Sequence, residues 1–411
     1  MKLHEALLRF FESSAKREGS LIGVERETFI LHVGSGRAAS YDEPGGAREV
    51  VQKLMVLYPG AKPYQGEDLL GFGTDRFAVT LEPAAQLEIS TSPSDSIREL
   101  GEILQDFSEK LTSVLTPMGL TACNCGCQPE SPVDTIPLIP KERYRLMDRH
   151  FQSFGHGGRE MMRGSCSTQV SLDYTSEEDF RLKVQAAHYW LPALMLLMDL
   201  GSRFQGEPVS GFLKRYDIWE RTDPDRCGIL PGVFSPSYGF TDYVQFLERM
   251  PLILRETRSG AEYTGFQTVQ EIYQDKEVGE KEILHILSMA FPYVRLKQYL
   301  EIRPADSVPI KYALAYCALL KGLLYSPEAL ALVQERIATE GVTEKQVQDT
   351  MQGLMRAGWA GTIYGRPADT FIRDALDLAG LSLNDEDRSY LHAFNEVIKC
   401  KGIANVEKQD V

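Results

Sequence analysis

VRLKQYLEIRPAD, residues 294–306, divides by parity when read as a β-strand. Val294, Leu296, Leu300 and Ile302 point one way, and Arg295, Lys297, Tyr299, Glu301 and Arg303 point the other. One face is apolar and the other carries two arginines, a lysine and a carboxylate. A solvated edge strand would show the same alternation. Cations and a carboxylate crowded on one short ribbon also suit the lining of a site for phosphate and metal.

Three further stretches repeat the split and favour the second reading. In IGVERETFIL, Gly23, Glu25, Glu27 and Phe29 oppose Ile22 and Val24. In AVTLEPAAQLEIS, Thr80, Glu82, Gln86, Glu88 and Ser90 oppose Val79, Leu81, Leu87 and Ile89. In SCSTQVSLDY, Ser165, Ser167, Gln169, Ser171 and Asp173 oppose Cys166, Thr168, Val170 and Leu172. Four such ribbons imply a sheet whose apolar side is covered by helices and whose polar side lines a cavity. Massed carboxylates repel one another unless cations neutralise them, and hard oxygen ligands beside a phosphate substrate favour Mg²⁺.

The chain has 411 residues, 43% of them apolar, enough for a sizeable core. A net charge of −14 disfavours a nucleic-acid partner, and no basic, aromatic-interleaved patch or internal repeat appears. Seven cysteines do not form a secreted disulfide framework, so the expected compartment is a reducing cytosol. Leu3, Ala6, Leu7, Phe10 and Phe11 recur at helical spacing and read as a first helix, not a signal peptide. Ala186 to Leu200 is too short and too interrupted, by His188, Pro192 and Asp199, to span a membrane. It reads as the buried core of a longer helix that is capped at its start by Thr175 and Glu178 and ended by Gly201.

Ser96 and Glu99 mark a capping box ahead of the stripe Ile97, Leu100, Ile103, Leu104, Phe107, Leu111 and Val114. Cys123, Cys125 and Cys127 alternate, which on one strand places three small side chains on one face; they lack the spacing of a zinc site. Gly155, Gly157 and Gly158 suit a mobile lid but lack the context of a phosphate-binding loop. FLKRYDIWERTDPDRCGILPGVF is dense in charge and either recognises a zwitterionic ligand or forms a solvated loop. Helices are expected near Phe240 to Glu256 and Glu280 to Ala290, then a helical remainder from Pro309. Residues 1–326 are expected to form the catalytic core, with 327–411 a helical region packed on it as one structural domain.

Taken together, GVERETF, TLEPAAQLEIS, IPKERY, MMRGSC with QVSLDY, IWERTDPDR with GILPGVF, and VRLKQYLEIRPAD resemble the plant and proteobacterial type of glutamate–cysteine ligase. That family also includes the actinobacterial enzyme of ergothioneine synthesis. The ordered blocks run from about Lys16 to Tyr325. The resemblance implies an α+β fold similar to glutamine synthetase, a curved, mainly antiparallel sheet forming a funnel with helices outside. It implies ATP as co-substrate, two or more Mg²⁺ ions, and L-glutamate and L-cysteine as substrates of a cytoplasmic monomer or homodimer in glutathione biosynthesis. The γ-carboxylate of glutamate would be phosphorylated and then captured by the amine of cysteine.

By position in the blocks, the resemblance makes Glu25, Glu27, Glu82, Glu88 and Glu301 metal ligands, with Gln169 a sixth. It puts Arg303 and Glu301 at the catalytic step, Arg295, Lys297 and Arg303 on the nucleotide phosphates, and Arg143, Arg215, Trp219 and Arg226 on the amino-acid substrates. Departures from the family are Arg163 and Gly164, which on a strand would move a positive charge to the other face, then Ile310, Lys311 and Leu320 in place of larger or charged residues, and the three cysteines. These are expected to alter pocket walls. They keep open an enzyme of the same chemistry with another acceptor amine, and a non-catalytic glutamate or nucleotide sensor is the rival of a different class.

Overall fold

The computed structural model describes residues 1–64, 66, 68–257 and 260–408. Its centre is a nine-stranded antiparallel sheet. The strands are β1 (Ile22–His32), β2 (Lys62–Pro63), β3 (Gly71–Gly73), β4 (Phe77–Leu81), β5 (Leu87–Thr91), β6 (Leu120–Cys123) and β7 (Ser167–Leu172). A separate hairpin, β8 (Pro251–Thr257) and β9 (Gly260–Thr268), precedes β10 (Val294–Leu296) and β11 (Leu300–Asp306). The sheet order is β10-β11-β7-β1-β5-β4-β3-β2, with β6 also pairing β1. The deciding stretch is therefore a hairpin and not one strand. Val294 pairs with Ile302 and Leu296 with Leu300, so the turn centres on Gln298 and preserves the parity of both arms.

Register then builds the polar face. Thr80 lies opposite Glu88 and Glu88 opposite Glu27, while Ser90 and Gln169 flank Glu25 on its two sides. Glu301 sits between Ser171 and Arg295. The pairing of β11 with β7 shifts between Ile302 and Ala305, so Arg303 and Pro304 occupy a bulge. A bulge accommodates the missing amide hydrogen of Pro304 and re-aims the neighbouring side chain.

Helices pack on both sides of the sheet. They are α1 (Leu3–Ser14), α2 (Ala47–Val56), α3 (Ile97–Leu115), α4 (Glu142–Phe151), α5 (Gly157–Gly164), α6 (Glu177–Leu197), α7 (Lys214–Glu220), α8 (Phe240–Arg249), α9 (Glu280–Leu287) and α10 (Ile310–Leu324). All seven residues of the α3 stripe are buried, and Ser96 accepts from the Glu99 amide at 3.3 Å. The start of α6 is capped by Ser176 and Asp179, one residue beyond the expected pair, and the helix ends at Leu197 before Gly201. Helices over residues 327–407 pack on the same core, where Phe371 meets Trp190 at 5.3 Å between ring centroids. Among the described residues no single helix is long and apolar enough to cross a membrane.

Two expectations fail for local reasons. The helix begun at Phe240 stops at Arg249, because Pro251 cannot continue it and the chain turns into β8. Gly157 and Gly158 open α5 instead of a lid. A Cβ on Gly157 would stand 2.1 Å from the Arg221 carbonyl oxygen, and one on Gly158 2.2 Å from Phe151 Cβ. These glycines serve close packing.

Candidate active site

A cavity of about 300 Å³ opens on the polar face of the sheet. Glu25 and Glu27 of β1, Glu88 of β5, Gln169 of β7, Arg295 of β10, Lys297 of the hairpin turn and Arg303 of β11 all line it. Glu82 joins them from the β4–β5 turn, in which Glu82 N donates to the Gln86 carbonyl at 2.9 Å. Ala85 sits in that turn at φ 67°, a conformation that costs a non-glycine residue about 1 kcal/mol. Arg143 of α4 and Arg215 and Trp219 of α7 close the opposite wall.

The charges fall into two groups. Burial, followed by repulsion from acidic neighbours, pushes Glu25, Glu27, Glu82 and Glu88 each up to about 7. Glu27 accepts from the Ser167 amide at 2.6 Å and from Gln169 at 3.3 Å, and Glu88 from Thr80 and Ser90 at 2.8 and 3.2 Å. No cation forms a salt bridge with any of the four among the described residues. Glu301 is different. Against the desolvation of full burial, Arg295, Lys297 and Arg303 hold it well below the usual carboxylate range. Arg295 Nε and Arg303 Nη1 donate to its Oε2 at 2.6 and 2.8 Å, and Lys297 Nζ to its Oε1 at 2.8 Å.

Glu301, expected as a metal ligand, is surrounded by cations in this structure. Both of its oxygens are engaged by cations and it is absent from the cavity lining, so it acts as the anchor that holds three cations in place. Gln169 lines the cavity as a link: its oxygen accepts from Arg303 Nη1 and its nitrogen donates to Glu27. Among the described residues no three His, Cys, Asp or Glu side chains converge on one point. The four raised carboxylates instead form a rail. Their donor set is all oxygen, and their repulsion is what a hard divalent cation would relieve, so the residues fit Mg²⁺ by chemistry.

Arg215 Nη1 donates to the carbonyls of Arg303 and Pro304 at 3.2 Å, bracing the bulge from α7. Its Nε and the indole Nε1 of Trp219, four residues on, are buried without a partner. Buried donors left unmet at a cavity wall call for an acceptor from a ligand. Arg143 donates to Ser288 Oγ and the Ser288 carbonyl at 3.0 and 2.7 Å. Sequence reasoning missed Tyr144, Met147, Met161, Met162, Ser288 and Phe291, which also line the cavity. Tyr144, Met161 and Met162 fall inside quoted blocks, whereas Met147, Ser288 and Phe291 carried no signal, since single residues outside a motif look alike whether they face a core or a cavity.

Arg226, expected on the amino-acid substrates, lies outside the cavity lining. It is fully buried and donates to Asp223 Oδ2 at 2.6 Å and to the carbonyls of Met289 and Pro251 at 2.9 and 2.7 Å. Arg226→Met leaves Asp223 and two carbonyls without this partner, so a loss of about 3 kcal/mol is expected in chemical denaturation, with substrate KM values unchanged. A normal midpoint with a raised KM would return Arg226 to the site. The departures noted in the sequence also miss the cavity wall. Arg163 lies in α5 and bonds Asp148 and the Ile136 carbonyl, and Lys311 at the start of α10 pairs with Glu407 at 2.9 Å. Ile310, Leu320 and the three cysteines are absent from the lining as well. Cys123 and Cys125 approach to 3.3 Å between sulfurs, whereas Cys127 separates from them into the main core.

Comparison with known proteins bears on the whole chain. It matches glutamate–cysteine ligase family 2 over residues 21–404. It is similar to the chloroplastic glutamate–cysteine ligases of Brassica juncea, 30% identical over 96% of this chain and 78% of that protein, and of Arabidopsis thaliana, 28% identical over 98% and 78%. Its fold is similar to the glutamate–cysteine ligase of Francisella tularensis solved in complex with AMP, at a TM-score of 0.57 and 11% identity, covering 96% of this chain and 85% of that one.

Proposed function

Because this chain belongs to glutamate–cysteine ligase family 2 and is an ATP-dependent carboxylate–amine ligase, we propose that its cavity activates the γ-carboxylate of L-glutamate as a γ-glutamyl phosphate and passes it to the amine of L-cysteine. The observation that carries this reading is the juxtaposition of an uncompensated carboxylate rail with three cations held by Glu301. Phosphoryl transfer to a carboxylate brings anion against anion, and fixed cations offset that repulsion in a site shielded from water.

Arg303 meets the transferring phosphoryl group, because its side-chain hydrogen bonds leave from Nη1 and its Nη2 and Nε remain for an anion. Arg295 and Lys297 face the remaining phosphates, and Arg215, Trp219 and Arg143 receive the amino-acid substrate. Mg²⁺ on Glu25, Glu27, Glu82 and Glu88, with two or more ions along the rail, would supply Lewis-acid neutralisation of the phosphates. ADP release measured with glutamate and a panel of amines tests the reading. Release that requires glutamate and is fastest with cysteine is expected. Preference for another amine keeps the chemistry and changes the acceptor, and no release with any amine leaves the sensor.

The rail also sets a pH dependence. A carboxylate raised from its ordinary value to about 7 binds its proton more tightly in the folded state. The native protein therefore holds more protons than the unfolded chain between about pH 4.5 and 7, and these groups lower stability as pH rises through that window. Mg²⁺ is expected to raise the melting temperature more at about pH 7.5 than at about pH 5.5, where protons already neutralise the rail. A larger effect at the lower pH would contradict the assignment.

A further inference from the structure

Glu82 and Glu88 are walls of two cavities. Beside the one described lies another of about 600 Å³, bounded by Tyr64 and Leu70 ahead of β3, Thr80 and Leu81 of β4, and Pro140 and Lys141 ahead of α4. Glu82, Glu88 and Tyr144 line both. We propose that this second chamber is the port of the acceptor amino acid, which enters nitrogen first and leaves its α-carboxylate on Lys141. The inference rests on the ligase reading above.

Charge sorts the substrates between the chambers. The inner cavity holds Arg143, Arg215, Arg295, Lys297 and Arg303, whereas Lys141 is the only cation among the described residues lining the second chamber. Asp68 at its rim is already paired with Arg48 at 2.9 Å. A triphosphate placed there would face Glu82 and Glu88 with one lysine for compensation. Sheet order agrees. Four strands, β11, β7, β1 and β5, separate β10, which carries Arg295, from β4 at the second chamber. At the usual strand spacing that is roughly 24 Å along the sheet, so phosphates anchored on β10 and β11 hold the nucleotide toward the other end.

Orientation follows from the reaction. The acceptor nitrogen, having released one proton to solvent as its ammonium form enters, bonds to the acyl carbon as the carbon–oxygen bond to phosphate breaks. The phosphate leaves with that electron pair and takes the second nitrogen proton, giving the amide and hydrogen phosphate. The nitrogen must therefore lead past the shared wall of Glu82 and Glu88 to the acyl group in the inner cavity, and the α-carboxylate of an amino acid trails outward. Lys141 stands there, exposed, with no ion-pair partner among the described residues and its Nζ 4.9 Å from the centroid of the Tyr144 ring.

Lys141→Ala should raise KM for L-cysteine about tenfold, as expected for one charge-assisted hydrogen bond, and leave KM for ATP and glutamate within about twofold. Cysteamine, which lacks the carboxylate, should react equally well with the variant and the parent. Leu70→Trp, which narrows the chamber, should lower kcat/KM for cysteine while hydroxylamine, small and neutral, still traps the activated glutamate at the parent rate. A rise in KM for ATP in place of cysteine would assign the chamber to the nucleoside and overturn the proposal. Unchanged constants in Lys141→Ala would overturn it too. Absence of glutamate-dependent ADP release from the parent protein with every amine would instead refute the ligase reading.

Discussion

Glu88→Gln is expected to lower turnover by on the order of a hundredfold or more, through the loss of several kcal/mol of charge stabilisation in the transition state. The fold should survive. Glutamine keeps the side-chain length and an oxygen that can accept from Thr80 and Ser90, the two hydroxyls that hold Glu88. The substitution also removes a like-charge contact, because Glu88 stands directly opposite Glu27 in the β1–β5 register. Burial and Glu82 together push the Glu88 carboxyl to about 7, so the parent spends stability on ionising it at neutral pH. The variant should therefore melt higher than the parent in the absence of Mg²⁺ while releasing little ADP in its presence. Opposite movement of stability and rate separates a cation ligand from a residue that supports the sheet. An active Glu88→Gln enzyme with unchanged Mg²⁺ dependence would sink the assignment.

That experiment probes a feature visible in the residue pattern. Alternation in three of the ribbons marks one face of each, and the register then brings Glu25, Glu27 and Glu88 together with Gln169. Alternation in 294–306 survived even though the stretch folds back on itself, because a hairpin centred on Gln298 keeps even positions on one side. Periodicity cannot say how charges on a shared face distribute among themselves. Arg295, Lys297, Glu301 and Arg303 all share a face, and only the geometry shows three cations meeting on one carboxylate, with no salt bridge to the other four acids among the described residues. The same limit explains Arg226. A charged loop at Asp223 and Arg226 has the same composition whether it greets a ligand or closes a buried ion pair at 2.6 Å. The β8–β9 hairpin was hidden for another reason: Leu252 to Leu254 extend the apolar pattern of α8, and Pro251 is the single residue that breaks it.

The cluster around Glu301 makes Arg303→Lys the most direct test of phosphoryl transfer. In the parent, Arg303 Nη1 bonds Glu301 and Gln169 at once, which fixes the guanidinium plane and turns the other nitrogens toward the cavity. Arg215 braces the bulge by bonding the Arg303 carbonyl, and the Trp219 ring lies 5.8 Å from the Arg303 guanidinium carbon. A lysine keeps the charge and can still pair with Glu301. It loses the planar fork, so one ammonium cannot satisfy Glu301 and Gln169 while also meeting two phosphoryl oxygens. Turnover should fall on the order of a hundredfold or more, with a much smaller change in nucleotide affinity, because an interaction made mainly in the transition state acts on rate before binding. Arg295 and Lys297 keep their ion pairs with Glu301 in the variant, so the proposed phosphate contacts of these two residues are expected to persist. Hydroxylamine gives an independent readout, trapping activated glutamate as γ-glutamyl hydroxamate in the parent and little in Arg303→Lys. Hydroxamate formed at the parent rate would move Arg303 from the phosphoryl group to the acceptor, or to the role Glu301 alone already explains, a buried counter-ion of the sheet.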